Sequence, residues 1–210
     1  IMGQASMAKP FAVDVNEISI SELKSYHPFL NVDGVKGAVH LPLDGQGDPA
    51  NIAMALAKGA RDLGVKIFED TKVTGLNTHN NSVSGIHWMN KDGKGLIKTE
   101  NAANCAGMWA RDFAESQGVT VPLHACEHFY IVTEPVKNLS TMPVLRMPDE
   151  QTYYKEDAGK FLVGAFELQA KPWGMEGIDE DFCFDQLPED LDHFEPILEK
   201  AIKRIPILAE

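Results

Sequence analysis

Three side chains able to bind a metal or move a proton alternate along one stretch of the chain. His124, Cys126 and His128 are spaced two residues apart, so on a β-strand all three project from the same face. Zinc accepts such ligands but usually takes four in a closed site, and no second ligand pair lies nearby in the sequence. We therefore predict no metal site. For His128 alone, the commoner interpretation is a hydrogen-bonded core histidine, and the alternative is a general acid or base beside a substrate.

Two adjacent tyrosines and one tryptophan are further candidates. Tyr153 and Tyr154 would project from opposite faces of a strand, so one ring is predicted to be buried and the other exposed. Trp109 comes two residues after the dipeptide Ala106-Gly107, and its simplest role is packing at a corner between a strand and a helix. None of these patterns identifies a substrate by itself.

The elements that would position these residues follow from the surrounding sequence. Asn101 to Cys105 predicts a short strand, and Ala106-Gly107 predicts a tight turn whose small side chains let a ligand approach the backbone. Trp109 to Gln117 predicts a helix. Leu123 to Glu134 alternates along its length and predicts a second strand with His128 on one face.

The clearest helix in the sequence begins at Asp48 and is predicted to end at Gly64. Asp48 is a natural N-cap, and Pro49 suits the first helical position. An apolar stripe runs along this helix at intervals of three or four residues. We expect its members to be buried: Ile52, Leu56, Ala60 and Leu63.

The other elements alternate in type along the chain. Turn pairs at Asn80-Asn81 and Asp92-Gly93 separate three strands of a β-meander. The remaining predicted strands and those of the meander cover residues 35–43, 65–69, 72–78, 83–89, 95–100, 144–146, 151–156 and 161–167. Helices are predicted at 22–27, capped by Ser19 or Ser21, and at 188–205, where Pro196 is expected to kink or divide the helix.

Composition excludes several classes of protein. The 210 residues have a formal net charge of -12 and a pI of about 5.0, which disfavours a nucleic-acid partner. No apolar run is long enough to cross a membrane, so no membrane partner is expected. Three irregularly spaced cysteines suggest free thiols in a reducing compartment. We predict a cytoplasmic protein, or one of the mitochondrial matrix in a eukaryote; a targeting segment before Ile1 is left open.

Several segments match one family in order and spacing. They are LDGQGDP at 43–49 followed by AMALAKGARDLGVKIFEDTKVTGL, NCAGMWAR at 104–111, VPL at 121–123 with HFYIVT at 128–133, and PVLR at 143–146 with Tyr153-Tyr154. Together they resemble the dimethylglycine and sarcosine dehydrogenase family. These are FAD-dependent amine oxidoreductases within the larger glycine oxidase and D-amino-acid oxidase group. The resemblance covers nearly the whole chain.

The resemblance implies roles toward both a cofactor and a substrate. Val73 matches a valine whose backbone contacts the adenine of FAD, and a second set matches the turn beside the cofactor: Ala106, Gly107 and Trp109. His128 matches a histidine beside the substrate amine, and Tyr153 a tyrosine that orients the substrate over the flavin. The implied reaction oxidises a small N-methylated amino acid, such as dimethylglycine or sarcosine, by hydride transfer to flavin. The released carbon becomes formaldehyde or passes to a folate.

The sequence also departs from that family. Its members begin with a strand, a G-x-G-x-x-G turn and a helix that hold the FAD pyrophosphate, and they have a Gly-rich flavin-binding segment near the C-terminus; neither is present here. The turn at 45–47 is no substitute, because it lacks the Lys-Ser/Thr ending of a phosphate loop. We therefore expect the central piece of a longer enzyme, which alone binds FAD weakly or not at all and is inactive.

The predicted fold class is α+β. Residues 1–118 would form a partial FAD-binding domain, an α/β remnant with the meander, and residues 119–210 an antiparallel substrate-binding sheet with helices on one face. The leading function is a fragment of an FAD-dependent N-methyl amine dehydrogenase. One alternative is an oxidase of glycine or another amino acid. The other is a non-catalytic domain or subunit that kept the fold, whose missing half belongs to a partner chain.

Overall fold

The structure is a computed structural model that describes residues 2–210. The helices are α1 (Met2–Ala8), α2 (Ile20–Tyr26), α3 (Pro49–Asp62), α4 (Ala110–Ser116) and α5 (Leu191–Arg204), with short 3-10 helices at Lys9–Phe11, Gly107–Trp109 and Pro206–Ala209. The strands are β1 (Asn16–Ile18), β2 (Ala38–His40), β3 (Lys72–His79), β4 (Ser82–Asn90), β5 (Gly93–Lys98), β6 (Ala125–Cys126), β7 (Tyr130–Val132), β8 (Leu145–Met147), β9 (Thr152–Asp157), β10 (Lys160–Ala165) and β11 (Pro172–Trp173). Mixed helices and antiparallel sheets confirm the α+β prediction.

The chain divides into two compact units. Unit 1 comprises the chain up to Gln46 with His128–Ala170 and Leu187–Glu210, and unit 2 comprises Gly47–Glu127 and Lys171–Gln186. The units therefore alternate along the sequence, whereas the predicted domains, 1–118 and 119–210, follow one another. That division stays a prediction about the whole enzyme.

Unit 1 is built on a four-stranded antiparallel sheet in the order β7-β10-β9-β8. The hairpin between β9 and β10 turns at Ala158 and Gly159, which both have positive φ. One face of the sheet is buried, and its members across the strands are Leu145, Tyr154, Phe161 and Val163. Helix α5 supplies Phe194, Ile197 and Ala201 to the two apolar clusters of this unit, and its C-cap residue Ile205 joins one of them. The predicted strands at 144–146, 151–156 and 161–167 are thus confirmed.

Two helices of unit 1 show how local sequence signals act, one at a helix start and one inside a helix. Ser19 caps α2 in a capping box with Glu22, because each side chain bonds the backbone N–H of the other residue. Pro196 was predicted to kink or divide its helix. Helix α5 is continuous across Pro196, so this proline does not divide it, and a kink stays a prediction. Pro196 lies early in the helix, and the apolar stripe that α5 packs on the unit outweighs one lost hydrogen bond.

Unit 2 contains the predicted meander, β3-β4-β5. Asn80 and Asn81 make its first turn with positive φ, at 49° and 59°, as their residue types suggest. A two-stranded ribbon pairs β6 with β11. Helix α3 has Asp48 as its N-cap, with the carboxylate accepting from Asn51 N–H, which confirms the predicted start.

The predicted burial of α3 is wrong. Ile52, Leu56 and Leu63 are 51%, 70% and 88% exposed, and Ala60 is half-buried. Amphipathic spacing fixes which side of a helix is apolar, but not what covers that side. Within residues 2–210 nothing buries this face.

Three predicted strands also need correction. Residues 65–69 and 101–105 form no strand, since an extended run becomes a strand only when a neighbouring edge pairs with it. The run 123–134 is not one strand but two, β6 and β7, which join different sheets. Its alternation nevertheless survives: 125, 127, 129 and 131 are less exposed than 126, 128, 130 and 132. Among the described helices, none has the length and apolar character needed to cross a membrane.

Candidate active site

The candidate site of unit 1 lies on the exposed face of its sheet. Pairing places Arg146, Tyr153, Gly164 and Tyr130 side by side in one row across the four strands. Side chains alternate along a strand, so this row faces away from the row that contains Tyr154, which is 1% exposed. Tyr154 is therefore the core tyrosine, and the partly buried Tyr153 lies on the opposite face. The predicted placement on opposite faces holds; which of the two rings is buried was not predicted.

His128 and Tyr153 are in direct contact. The His128 Nε2 and the Tyr153 hydroxyl lie 3.0 Å apart. The two rings are stacked, with centroids 5.9 Å apart and an interplanar angle of 12°. His128 precedes Tyr130 by two residues and therefore lies on the same sheet face. Phe129 and Ile131 pack on the other side against the cluster that contains Phe194, as the alternation predicts.

A third ring, Phe166, completes this aromatic group. Its centroid lies 5.1 Å from that of His128 and 5.2 Å from that of Tyr153. The Arg146 guanidinium carbon lies 4.9 Å from the Phe166 centroid, a distance suited to a cation–π contact. We call these four side chains the aromatic face: Arg146, His128, Tyr153 and Phe166.

Gly164 allows Tyr153 to lie flat on the sheet. A Cβ at position 164 would be 2.8 Å from the Tyr153 Cε1 and closer still to its hydroxyl oxygen, which is nearer than van der Waals contact permits. The ring of Tyr153 thus occupies the space that a side chain at 164 would fill. The absence of that side chain directs the phenol across β10 toward the β7 side of the sheet, where it meets His128.

Electrostatics favour a protonated phenol at this site. Burial raises the pKa of Tyr153, and the nearby Tyr130 and Glu167 raise it further, because each disfavours a phenolate. The Glu167 carboxylate is itself engaged by His193, whose Nε2 lies 2.9 Å away. The Tyr153 hydroxyl can therefore donate to a neutral His128 or to a substrate atom.

Sequence reasoning missed Arg146 and Phe166. Both could have been found by extending the alternation: Phe166 is two residues beyond Gly164, and Arg146 alternates with the core residue Leu145. What the sequence could not provide was the strand order, because β10 lies between β7 and β9. That order brings Tyr153 to the side of His128 across an intervening glycine.

The predicted cofactor residues lie in unit 2, around a groove of about 1170 Å³. Val73, Ala106 and Trp109 line it, together with the small residues Ala102 and Ala103. Gly107 lies within the same turn, has a φ of +56° and opens the 3-10 helix. The Trp109 indole donates to the carbonyl of Asp179 at 3.2 Å, so its ring is fixed against one wall.

The charges of this groove suit only part of FAD. Four carboxylates line it, from Asp70, Asp112, Glu180 and Asp181, and the one lining cation, Lys72, pairs with Glu180. Carboxylates accept hydrogen bonds from ribose hydroxyls, and small apolar residues admit a flat base. A pyrophosphate would meet repulsion there. The residues present therefore fit the adenosine portion of FAD and not its phosphates.

Metal ligation finds no support in the part of the chain that the structure describes. No set of three His, Cys, Asp or Glu side chains there is close enough to hold an ion. His124 and Cys126 belong to the β6 region of unit 2, whereas His128 belongs to unit 1. The strand that would have aligned all three is interrupted between β6 and β7.

Known proteins with similar sequences or structures identify the family of this chain and share its fold. The family model described as FAD dependent oxidoreductase matches residues 3–210. The chain belongs to this family. The resemblance to sarcosine and dimethylglycine dehydrogenases is thereby confirmed.

Two relatives and one solved structure illustrate the similarity. The chain is 36% identical to the mitochondrial pyruvate dehydrogenase phosphatase regulatory subunit of Mus musculus, over 91% of this chain and 22% of that protein. It is 33% identical to the mitochondrial sarcosine dehydrogenase of Homo sapiens, over 97% of this chain and 22% of that protein. A crystal structure of L-proline dehydrogenase from P. horikoshii has the same fold, with a TM-score of 0.73 at 23% identity, covering 97% of this chain and 51% of that chain. The chain thus spans about a fifth of the curated relatives it matches.

Proposed function

We propose that this flavoprotein-family chain contributes the substrate-binding sheet of an enzyme that oxidises small N-methylated amino acids. The observation behind the proposal is the pairing of His128 with Tyr153 at 3.0 Å on an exposed sheet face. The similarity to sarcosine dehydrogenase supports this substrate class over other amines. His128 and Tyr153 are the proposed catalytic residues.

The proposed role of His128 is to take a proton from the substrate amine. An alkylammonium group has a pKa of about 10.4, like that of lysine, so it is protonated at neutral pH and has no lone pair with which to assist oxidation. A histidine within hydrogen-bond reach can accept that proton. Tyr153 is a phenol that is protonated at neutral pH, and burial raises its pKa further. It holds the imidazole orientation and offers a hydroxyl to the substrate.

The proposed cofactor residues are Val73, Ala106, Gly107 and Trp109. When bound, FAD would supply the hydride acceptor, chemistry that no amino-acid side chain performs. The groove beside these residues suits the adenosine end. Phosphate binding would come from the G-x-G-x-x-G type of turn, which this sequence does not contain. The division into a partial FAD-binding domain, 1–118, and a substrate-binding domain, 119–210, stays a proposal about the whole enzyme.

A second candidate function is regulatory. The similarity to a phosphatase regulatory subunit favours a protein that kept the fold and serves as a partner of another chain. Three further properties stay proposals. They are oxidation of glycine or another amino acid, use of folate, and a cytoplasmic or mitochondrial-matrix location. Both mammalian relatives are named as mitochondrial.

Flavin reduction tests the proposed function. In the complete natural protein that contains this chain, loaded with FAD, we expect sarcosine or dimethylglycine to bleach the flavin in anaerobic stopped flow. His128→Ala should slow that reduction by roughly two to four orders of magnitude, the usual range for an acid–base group. Tyr153→Phe should slow flavin reduction less than His128→Ala does, because it keeps the ring and removes only the hydroxyl.

His124→Ala is the matched control, since His124 is an exposed histidine four residues away in unit 2. Its flavin reduction should match that of the parent. If His128→Ala also matches the parent, His128 is a structural histidine and the site assignment is wrong. If the parent itself binds FAD but no amine reduces it, the regulatory function is favoured.

A further inference from the structure

An acidic segment of unit 2 forms a closed loop beside the groove. Gly174 to Asp181 contains no helix or strand, and six of its residues are exposed. The rings that flank the segment, Trp173 and Phe182, are in contact with centroids 4.7 Å apart. A compact surface loop whose ends lie close together is an Ω-loop, a type of segment that is frequently functional. We call residues 174–181 the acidic loop.

The acidic loop packs largely on itself. A Cβ at position 174 would lie 2.4 Å from the Ile178 Cγ1, so the Ile178 side chain fills the space that a side chain at Gly174 would need. The Gly177 N–H donates to the Gly174 carbonyl at 3.2 Å, and both glycines have positive φ, at 64° and 116°, which glycine adopts without strain. The loop therefore has internal contacts that it keeps when it moves relative to the rest of unit 2.

Polar contacts hold the acidic loop in its present position. They come from three side chains of unit 2, which are Lys72, Trp109 and Arg111. Arg111 donates to the Met175 carbonyl at 3.0 Å, and the Trp109 indole donates to the Asp179 carbonyl at 3.2 Å. Lys72 pairs with Glu180, and these two side chains are 50% and 69% exposed. Exposed ion pairs add little stability, so the loop is held weakly enough to open locally.

The acidic loop determines much of the charge of the groove. Two of the four lining carboxylates, Glu180 and Asp181, belong to it. Through Glu180 it also pairs with the lining cation Lys72. Movement of the loop away from the groove would remove two negative charges and free one positive charge. The small residues Ala102 and Ala103, which suit a flat base, would stay in place.

We propose that the acidic loop is a lid on the groove, which admits a nucleoside when closed and a phosphate-bearing adenine nucleotide only when open. This inference rests on the proposed cofactor role of the groove. The closed loop repels a phosphate through its carboxylates, whereas the open loop leaves Lys72 free to bind one. Because only the open fraction binds a nucleotide, the apparent dissociation constant for the nucleotide falls as that fraction rises.

The Trp109 indole proton reports the position of the lid in solution, since it is bonded to Asp179 only when the loop is closed. The chain has three tryptophans, so the Trp109 signal is identified in heteronuclear NMR by its absence from Trp109→Phe. Arg111→Lys keeps the positive charge and loses the guanidinium fork, and Arg111 is not among the residues that line the groove. In the 210-residue chain this variant should speed hydrogen exchange of the indole proton about two- to tenfold, the effect of a lost hydrogen bond.

ADP and adenosine are the ligand probes, and isothermal titration gives their dissociation constants. ADP carries the pyrophosphate, and adenosine lacks it. Arg111→Lys should bind ADP about two- to tenfold more tightly than the parent, in step with the open fraction, and should bind adenosine no more tightly. Arg61→Lys is the matched control, because Arg61 is an arginine of unit 2 whose ion pair, with Glu69, lies outside the loop. It should change neither indole exchange nor ADP binding.

Two variants of the loop separate the ion pair from the charge alone. Glu180→Gln and Asp181→Asn each remove one lining carboxylate, and Glu180 is the one that pairs with Lys72. Glu180→Gln should therefore strengthen ADP binding at least about threefold more than Asp181→Asn does. It should also speed exchange of the Trp109 indole proton, whereas Asp181→Asn should not.

Three results would overturn the lid. They are unchanged indole exchange in Arg111→Lys, faster exchange without a gain for ADP in a chain that binds adenosine, and equal effects of Glu180→Gln and Asp181→Asn on ADP binding and indole exchange. A separate result would count against the proposed function instead. If indole exchange responds to Arg111→Lys but neither the parent nor any variant binds adenosine or ADP, the cofactor role of the groove fails and the movable loop stands.

Discussion

At the scale of single residues, the candidate site depends on the side chain that Gly164 lacks. The Tyr153 ring lies where a Cβ at 164 would be, and that placement brings its hydroxyl to 3.0 Å from His128. Alternation along each strand predicted that Tyr153 and Tyr154 face opposite sides and that His128 shares a face with Tyr130. It could not predict the contact itself, because strand order and the empty position on β10 are decided by pairing between distant segments.

The first prediction concerns that empty position. Gly164→Ala should destabilise unit 1 by about 1–3 kcal/mol, the range for overpacking, because the new methyl group displaces the Tyr153 ring. In a Tyr153→Ala background, Gly164→Ala should lower the free energy of unfolding much less, since the ring that the methyl group would displace is absent. Chemical denaturation of the four proteins gives the coupling energy. A coupling near zero would mean that Tyr153 does not lie over Gly164 in solution.

At the scale of secondary structure, the helices with clear caps were predictable and their surroundings were not. Asp48 and Pro49 start α3 where the sequence indicates, yet the apolar stripe of α3 is exposed. Helix α5 has a comparable stripe, and there Phe194, Ile197 and Ala201 are buried. Both helices satisfy the same period of 3.6 residues. Whether a stripe is buried depends on which sheet face is available, and that information is not local in sequence.

The contrast between the two helices can be tested by matched substitutions. Leu56→Ala on α3 should change the free energy of unfolding by less than about 0.5 kcal/mol, as for exposed positions. Ile197→Ala on α5 should cost about 2–5 kcal/mol, because it leaves a cavity in the core. Urea denaturation followed by circular dichroism measures both. A cost above about 2 kcal/mol for Leu56→Ala would show that the α3 stripe is buried in solution.

At the scale of the whole molecule, apolar burial is concentrated in unit 1. Among the described residues of unit 2, the buried hydrophobic side chains are Ala110 and Ala114 alone, while Ile52, Leu56 and Phe68 are exposed. Unit 2 also contains the acidic groove with the predicted cofactor residues. The resemblance to flavoenzymes located those residues along the chain. The meander could be predicted from turn pairs and alternation. The sign of the groove's charge could not, since its four carboxylates come from three separate segments of the chain.

The charge of the groove leads to a prediction about FAD itself. We expect the 210-residue chain to bind FAD with a dissociation constant weaker than about 10 µM, and no more tightly than adenosine, because the pyrophosphate finds carboxylates instead of backbone N–H groups. Asp181→Asn removes one lining carboxylate and should strengthen FAD binding about two- to fivefold, the effect of one exposed charge, while leaving adenosine binding unchanged.

Isothermal titration of both ligands, repeated at higher salt, measures these differences. Since salt screens repulsion between exposed charges, FAD should gain affinity with salt and adenosine should not. Micromolar or tighter binding of FAD by the parent chain would contradict the prediction and would require a phosphate site elsewhere in these residues.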